Sequence, residues 1–112
     1  MRVLVTGASG FLGGFACTEL RVRDHAVTAL VRRPGSAPAG CEEVHGDLTG
    51  EPATLADAVA AARPDCVLHL AAEIATQRDV ARIAAVNIVG TRHLLEACAA
   101  AGSPKVVFAS TS

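Results

Sequence analysis

Three glycines follow one another at three-residue intervals near the start of this 112-residue chain, at Gly7, Gly10 and Gly13. They come directly after the β-branched run RVLVT, which predicts a strand over residues 2–6. They open a segment from Phe11 to about residue 22 in which apolar residues recur at helical spacing. A strand that turns through glycines straight into a helix strongly constrains the fold, because it is the first half of a βαβ unit.

The rest of the chain continues this alternation of strands and helices. After the first helix, the sequence predicts a strand over residues 26–31, a loop over 33–40, a short strand over 41–45, a helix from Glu51-Pro52 to about residue 62, a strand over 66–70, a long helix ending near Gly102 and a strand over 105–110. Such an order predicts an α/β fold with helices on both faces of a parallel sheet. Right-handed crossovers favour the doubly wound Rossmann order 3-2-1-4-5, here as one domain over residues 1–112.

Composition excludes several classes of protein. The formal net charge is −1 and aromatic residues make up 3% of the chain, so there is no electrostatic or stacking basis for binding nucleic acid. No apolar run approaches the ~20 residues that cross a bilayer, and no signal sequence precedes the first strand, so we expect no membrane partner and a cytoplasmic protein. Cys17, Cys41, Cys66 and Cys98 form no CxxC pair, so we expect reduced thiols and no metal site.

The glycine pattern has a chemical reason in this setting. Gly7 permits a sharp exit from the strand, Gly10 removes a side chain where a pyrophosphate approaches the backbone, and Gly13 lets the helix lie close to the strand. The free N–H groups of the first helical turn, near Phe11 and Leu12, then point at the phosphates. The alternative is a turn whose glycines serve helix packing alone. No Lys-Ser or Lys-Thr pair follows, which excludes a P-loop.

Arg32 directly follows the second predicted strand. Rossmann sites usually carry an acid there, about 20 residues past the glycines, that binds the ribose hydroxyls. Here Val31 stands at that position and Arg32 comes next, and a guanidinium can bind a 2′-phosphate through charge-assisted hydrogen bonds. We therefore expect NADP to be preferred, with NAD as the other possible cofactor. The alternative is that Arg32 and Arg33 are a solvated charge pair.

The sequence resembles the extended short-chain dehydrogenase/reductase family, of the NAD-dependent epimerase/dehydratase type. The resemblance covers the whole chain and rests on motifs that arrive in the family's order: TGASGFLG at residues 6–13, GDL at 46–48, HLAA at 69–72, NIVGT at 87–91 and FASTS at 108–112. It implies reversible hydride transfer by an epimerase, dehydratase or reductase. It also implies a nucleotide sugar, or a related polyol, carbonyl or steroid-like compound, as substrate.

The same resemblance implies roles for particular residues. Those expected at the cofactor are Asp47, Leu48, Leu70, Ala71, Ala72 and Asn87. Asp47 would lie near the adenine, although it could simply cap the following turn. Asn87 would reach the cofactor ribose, although a polar residue on the inner stripe of the long helix could equally bond a backbone carbonyl. The apolar spacing predicts that this stripe consists of Ile83, Asn87, Gly90, Leu94, Ala97 and Ala101. Thr111 matches the family's catalytic Ser/Thr, which hydrogen-bonds the substrate oxygen.

One departure from the family pattern is large. The family's catalytic Tyr-x-x-x-Lys pair lies downstream of FASTS, whereas this chain has no tyrosine and Lys105 is its only lysine. We therefore expect the N-terminal part of a longer enzyme, inactive by itself. His69 is expected to be a core residue bonded to backbone rather than a base, and Glu73 is not distinguishable from a solvated loop acid. A non-catalytic NADP(H) sensor or scaffold is the alternative function.

An association surface is also expected. In the family's sheet the fifth strand is flanked by a sixth, so the apolar run at residues 105–110 would form an unpaired edge here. The face of the long helix that normally packs on a later helix would also be bare. These two surfaces predict self-association, with a homodimer as the expected form.

Overall fold

The computed structural model describes residues 1–8, 11–70 and 88–108. Its elements are β1 (Arg2–Thr6), α1 (Phe11–Val22), β2 (Ala26–Val31), β3 (Glu42–His45), α2 (Pro52–Ala62), β4 (Cys66–His69), α3 (Gly90–Ala100) and β5 (Lys105–Phe108). Within these ranges the five strands form one parallel sheet in the order β3-β2-β1-β4-β5. The predicted fold class and strand order are therefore confirmed.

The alternating side chains of β1 divide the core into two layers. Val3 and Val5 belong to the cluster that contains Cys17 of α1, whereas Leu4 belongs to the cluster on the opposite face, with residues of α2 and α3. These strand residues are buried, because Val3 exposes 5% of its surface and Leu4 and Val5 expose none. Because a strand buried on both faces requires a helical layer on each side, the prediction of helices on both faces is confirmed.

The ends of the elements differ slightly from the predicted ones. The N–H of Cys41 donates to the carbonyl of Pro38 at 3.2 Å, so this residue closes a turn and β3 begins one residue later. Glu51 is the N-cap of α2 and not part of its first turn, and it makes no side-chain cap bond. Arg63 in the left-handed conformation (φ 48°) ends α2, and Gly102 (φ 97°) follows the end of α3 as predicted.

The inner stripe predicted for the long helix is present where the structure describes it. Gly90, Leu94 and Ala97 are buried against the α2 side of the core. Ile83 and Asn87, which continue the predicted stripe, lie outside the described residues. Among the described helices, none has the length and apolar character that crossing a membrane requires.

Candidate cofactor site

The exit from β1 is closely packed against the start of α1. Gly7 has φ 77°, in the left-handed region that favours glycine. A Cβ added to Gly13 would overlap the carbonyl oxygen of Gly7 and would lie 2.6 Å from Cα of Ala8. Only glycine therefore fits at position 13 without moving the helix away from the strand. This close approach is the geometry that the glycine pattern predicts.

The N-terminus of α1 is suited to an anion. The helix begins at Phe11 and has no acidic residue in its first turn, so no carboxylate of that turn competes for the N–H groups that the start of a helix leaves without an intrahelical partner. Leu12 is exposed. Gly10, which is predicted to let the pyrophosphate approach, lies outside the described residues.

Four of the residues expected at the cofactor stand at the same edge of the sheet. Gly7, Arg32 and Leu70 directly follow β1, β2 and β4, and Asp47 comes two residues after β3. All these strands run parallel, so their carboxyl ends share one edge. The chain order reverses between β1 and β4, and open α/β sheets bind ligands at such a switch point. Ala71, Ala72, Asn87 and Thr111 lie outside the described residues.

Arg32 is exposed at the carboxyl end of β2. It forms no ion pair with any residue in the described ranges. Its guanidinium is therefore not neutralised by a carboxylate within this part of the chain. That arrangement is compatible with an anionic ligand group at this position.

The loop that follows Arg32 is held by Glu43, a residue that sequence reasoning missed. Its carboxylate accepts the N–H of Gly35 at 2.8 Å and that of Ala37 at 3.2 Å, and lies 2.8 Å from Nε2 of His45. The bond from Gly35, followed by that from His45, lowers the pKa of Glu43. The sequence could have suggested this role, because Glu43 lies on a strand next to a glycine-containing loop. Backbone N–H groups in such a loop need hydrogen-bond acceptors.

Asp47 caps the turn after β3, as the alternative interpretation of this residue proposed. Its Oδ1 accepts both the backbone N–H of Thr49 at 2.9 Å and the Thr49 hydroxyl at 3.0 Å. The side chain is nevertheless exposed at the same edge as the glycine turn. Capping thus occupies one carboxylate oxygen and does not bury the group.

Leu48 links this turn to α3. Its side chain is buried in the cluster between the sheet, α2 and α3, and a Cβ added to Gly90 would lie 3.0 Å from the Cβ of Leu48. The Leu48 carbonyl lies 2.7 Å from Nδ1 of His93. A carbonyl can only accept, so Nδ1 of His93 carries a proton. A glycine at position 90 therefore lets α3 pack closely against the turn that contains Leu48.

His69 is buried and bonded to two threonine hydroxyls, whereas we expected a backbone partner. Nδ1 lies 2.6 Å from Oγ1 of Thr6, and Nε2 lies 3.2 Å from Oγ1 of Thr91. The Thr6 oxygen also accepts the N–H of Leu70 at 3.1 Å. The ring of Phe108 meets that of His69 edge-on, with centroids 5.6 Å apart. These contacts join the ends of β1, β4 and β5 to α3.

The hydrogen bonds of His69 and Thr6 determine which ring nitrogen of His69 carries the proton. The Thr6 oxygen already accepts from Leu70, so its own proton is best used as a donor to Nδ1. Nε2 then carries the proton and donates to Thr91. In the described residues no buried side-chain polar atom lacks a partner. Burial lowers the pKa of His69, so the ring is neutral at pH 7.

Comparisons with known proteins agree with this geometry. Residues 3–112 match the NAD-dependent epimerase/dehydratase family. The chain belongs to this family. It is 41% identical over 112 residues to a 3-diazoavenalumate denitrifying reductase from Streptomyces sp., covering 96% of this chain and 36% of the relative. It is 38% identical over 122 residues to a 3 beta-hydroxysteroid dehydrogenase/Delta 5-->4-isomerase from Mycobacterium tuberculosis, covering 99% of this chain and 32% of the relative.

Among solved structures, the chain is similar to a UDP-glucose 4-epimerase from Thermus thermophilus in complex with NAD. The TM-score is 0.87 with 35% sequence identity, and the match covers 99% of this chain and 38% of the other. The 112-residue chain therefore covers between about a third and two fifths of the length of these relatives.

Proposed function

We propose that residues 1–112 are the dinucleotide-binding domain of an NAD(P)-dependent epimerase, dehydratase or reductase. The observation that carries this proposal is the contact of Gly13 with the Gly7 carbonyl. It keeps the first turn of α1 beside the carboxyl end of β1, where a pyrophosphate can meet free N–H groups. In a full-length enzyme, the bound nicotinamide supplies reversible hydride transfer.

The chain's own residues would hold and orient that cofactor. The backbone of the glycine turn, from Gly7 through Gly10, Phe11 and Leu12, would bind the pyrophosphate. Asp47, whose exposed carboxylate remains accessible, would lie near the adenine. The adjacent Leu48 is also proposed to lie at the cofactor. The further contacts proposed by the family resemblance come from Leu70, Ala71, Ala72 and Asn87, and Thr111 would orient the substrate oxygen.

NADP is the proposed preferred cofactor, because Arg32 is exposed after β2 and has no ion-pair partner in the described residues. The substrate proposed for the full-length protein is a nucleotide sugar or a related hydroxy or keto compound. A cytoplasmic location and a homodimer complete the proposal. For the dimer, the support is the exposure of Val107 and Phe108 on β5.

Catalysis is proposed only for a longer protein. A threonine hydroxyl is too weak an acid to transfer a proton alone at neutral pH, and the 112 residues contain no tyrosine to do so. The alternative function is a non-catalytic NADP(H)-binding sensor or scaffold, which would bind the dinucleotide through the same glycine turn. Reading the encoding frame beyond Ser112 for a Tyr-x-x-x-Lys pair distinguishes the two.

Calorimetric titration tests the binding proposal directly. The chain is titrated separately with NADP⁺, NAD⁺, ADP-ribose and nicotinamide mononucleotide. We expect binding of both dinucleotides and of ADP-ribose, which contains the pyrophosphate, and much weaker binding of the mononucleotide. If none of the pyrophosphate compounds binds while the chain remains folded, the proposal is wrong.

A further inference from the structure

Two cysteines that are distant in sequence belong to the same packed layer. Cys17 is fully buried on α1, and Cys41 is half-buried immediately before β3. Both belong to the apolar cluster between α1 and the sheet, where Cys41 packs against the buried members. Their spacing in the sequence gives no indication of this, and the proposed cofactor chemistry uses neither thiol.

The neighbouring contacts explain how the two cysteines meet. Arg21, one helical turn after Cys17, donates a hydrogen bond from its guanidinium to the carbonyl of Ala39 at 3.1 Å. The same guanidinium lies directly against Gly40, whose φ of 83° turns the chain toward β3. Residues 39–41 are therefore held along α1, one turn from Cys17, and Cys41 lies in the same cluster as that thiol.

The thiols also influence each other. The pKa of Cys17 is raised to about 12, first by burial and then by charge repulsion and hydrogen bonding with Cys41. This influence of Cys41 on the pKa of Cys17 agrees with the place of both residues in the same apolar cluster.

We propose that Cys17 and Cys41 are a dithiol that closes reversibly to a disulfide, cross-linking α1 to the segment that precedes β3. The oxidant is a small-molecule disulfide such as oxidised glutathione. The more accessible Cys41 attacks as a thiolate, forms a mixed disulfide and releases one reduced thiol. The sulfur of Cys17 then loses its proton and attacks the Cys41 sulfur, which expels the second reduced thiol. The protein loses two protons and two electrons in total, and the oxidant gains them as two reduced thiols.

The cross-link would act on two parts of the candidate cofactor site. Helix α1 presents its N-terminus at the glycine turn, and the segment ending at Cys41 is the far end of the loop that begins after Arg32. Closing the bond fixes these two parts relative to each other. It also restricts the unfolded chain, so the oxidised protein is expected to unfold at a higher temperature than the reduced one.

The experiment uses the intact chain with oxidised glutathione, followed by thiol blocking, digestion without reduction and mass spectrometry. We expect a Cys17–Cys41 linked peptide with the mass of two lost hydrogens. This peptide should form in Cys66→Ser and not in Cys41→Ser. Cys66→Ser is the matched control because Cys66 and Cys41 are both half-buried. Closure should also accelerate about tenfold per pH unit through the alkaline range, because attack by Cys17 needs its thiolate.

Three results would overturn the proposal. One is a glutathione adduct that stays on Cys41 without resolving in the folded protein. Another is a linked peptide that appears only in denaturant. The third is a linkage that Cys66→Ser abolishes. Circular dichroism of each variant confirms that the protein is folded. The experiment substitutes the half-buried Cys41 because a change at the fully buried Cys17 would disturb the core.

Discussion

The hydroxyl of Thr6 lies 2.6 Å from Nδ1 of His69, which joins the last residues of β1 and β4 through their side chains. The two residues are direct partners in the sheet register. Thr6 immediately precedes the glycine turn, and His69 immediately precedes the segment that the family resemblance assigns to the cofactor. A buried side-chain pair therefore links two neighbouring strand ends at the candidate site.

Replacing Thr6 with valine should destabilise the protein. Valine keeps the shape of threonine but leaves Nδ1 of His69 buried without its partner, which costs about 1–3 kcal/mol. Urea unfolding measures the loss. Thr18→Val is the control, because Thr18 is exposed and bonds only the carbonyl of Gly14 within the described contacts. Equal stability of Thr6→Val and the wild type would mean that the pair contributes nothing.

Stability should depend on the protonation of His69. Burial places its folded-state pKa below the ordinary value of 6.5, so the unfolded chain binds the proton more readily. The free energy of unfolding is therefore fully retained above pH 6.5 and declines as the pH falls toward the folded-state pKa. Urea unfolding of the wild type and of His69→Gln, at several pH values between about 7.5 and 5, measures this decline. The range brackets the ordinary histidine pKa of about 6.5. The variant should lose part of the decline, and an identical slope in both proteins would exclude His69 as its source.

Glu43 should protect two backbone amides from exchange. Its carboxylate accepts the N–H groups of Gly35 and Ala37, so Glu43→Gln is expected to accelerate hydrogen exchange at both positions. Glu42→Gln is the matched control, since Glu42 is the exposed neighbour on the same strand. The folded-state pKa of Glu43 is lowered, so protection should persist below pH 4.5 and disappear as the pH falls through that lower pKa. Unchanged exchange in Glu43→Gln would contradict these bonds.

Substituting Gly10 should prevent cofactor binding while the fold survives. A valine at this position would project into the space that a pyrophosphate needs beside the backbone. Calorimetric titration with NADP⁺ should detect no binding to Gly10→Val. Gly14→Ala is the control, because a Cβ at Gly14 meets no atom within 4 Å. Wild-type affinity in Gly10→Val would mean that the phosphate binds elsewhere.

Arg32 should determine the choice between the two dinucleotides. One charge-assisted contact to a 2′-phosphate contributes about 1.5–3 kcal/mol, or roughly 10- to 100-fold in affinity. Arg32→Ala should lose that much affinity for NADP⁺ and little for NAD⁺, whereas Arg23→Ala, at an exposed arginine of the turn after α1, should change neither. If the wild type binds both cofactors equally well, Arg32 does not have this role.

Local sequence patterns predicted the strands, the helices and the packing at Gly13, and the right-handedness of crossovers then predicted the strand order. The partners of His69 could not be predicted in this way. Thr6 is 63 positions away, and only the register between β1 and β4 brings the two together. The role of Glu43 was not predicted for a similar reason. The segment EEVH indicates a strand, but it does not identify the loop N–H groups that bind the Glu43 carboxylate. The proximity of Cys17 and Cys41 likewise depends on how Arg21 holds residues 39–41.

β1 is the central strand of the sheet, and it comes before the other four described strands along the chain. Its pairing with β2 needs only the connecting helix, whereas its pairing with β4 joins residues 63 positions apart. Because closing the longer loop costs more chain entropy, the β1–β2 unit is expected to form first and to keep one edge of β1 open. An open apolar edge can pair with other chains. Between the synthesis of Val31, the last residue of β2, and that of His69, the last residue of β4, a nascent chain is therefore expected to be prone to aggregation through the open edge of β1.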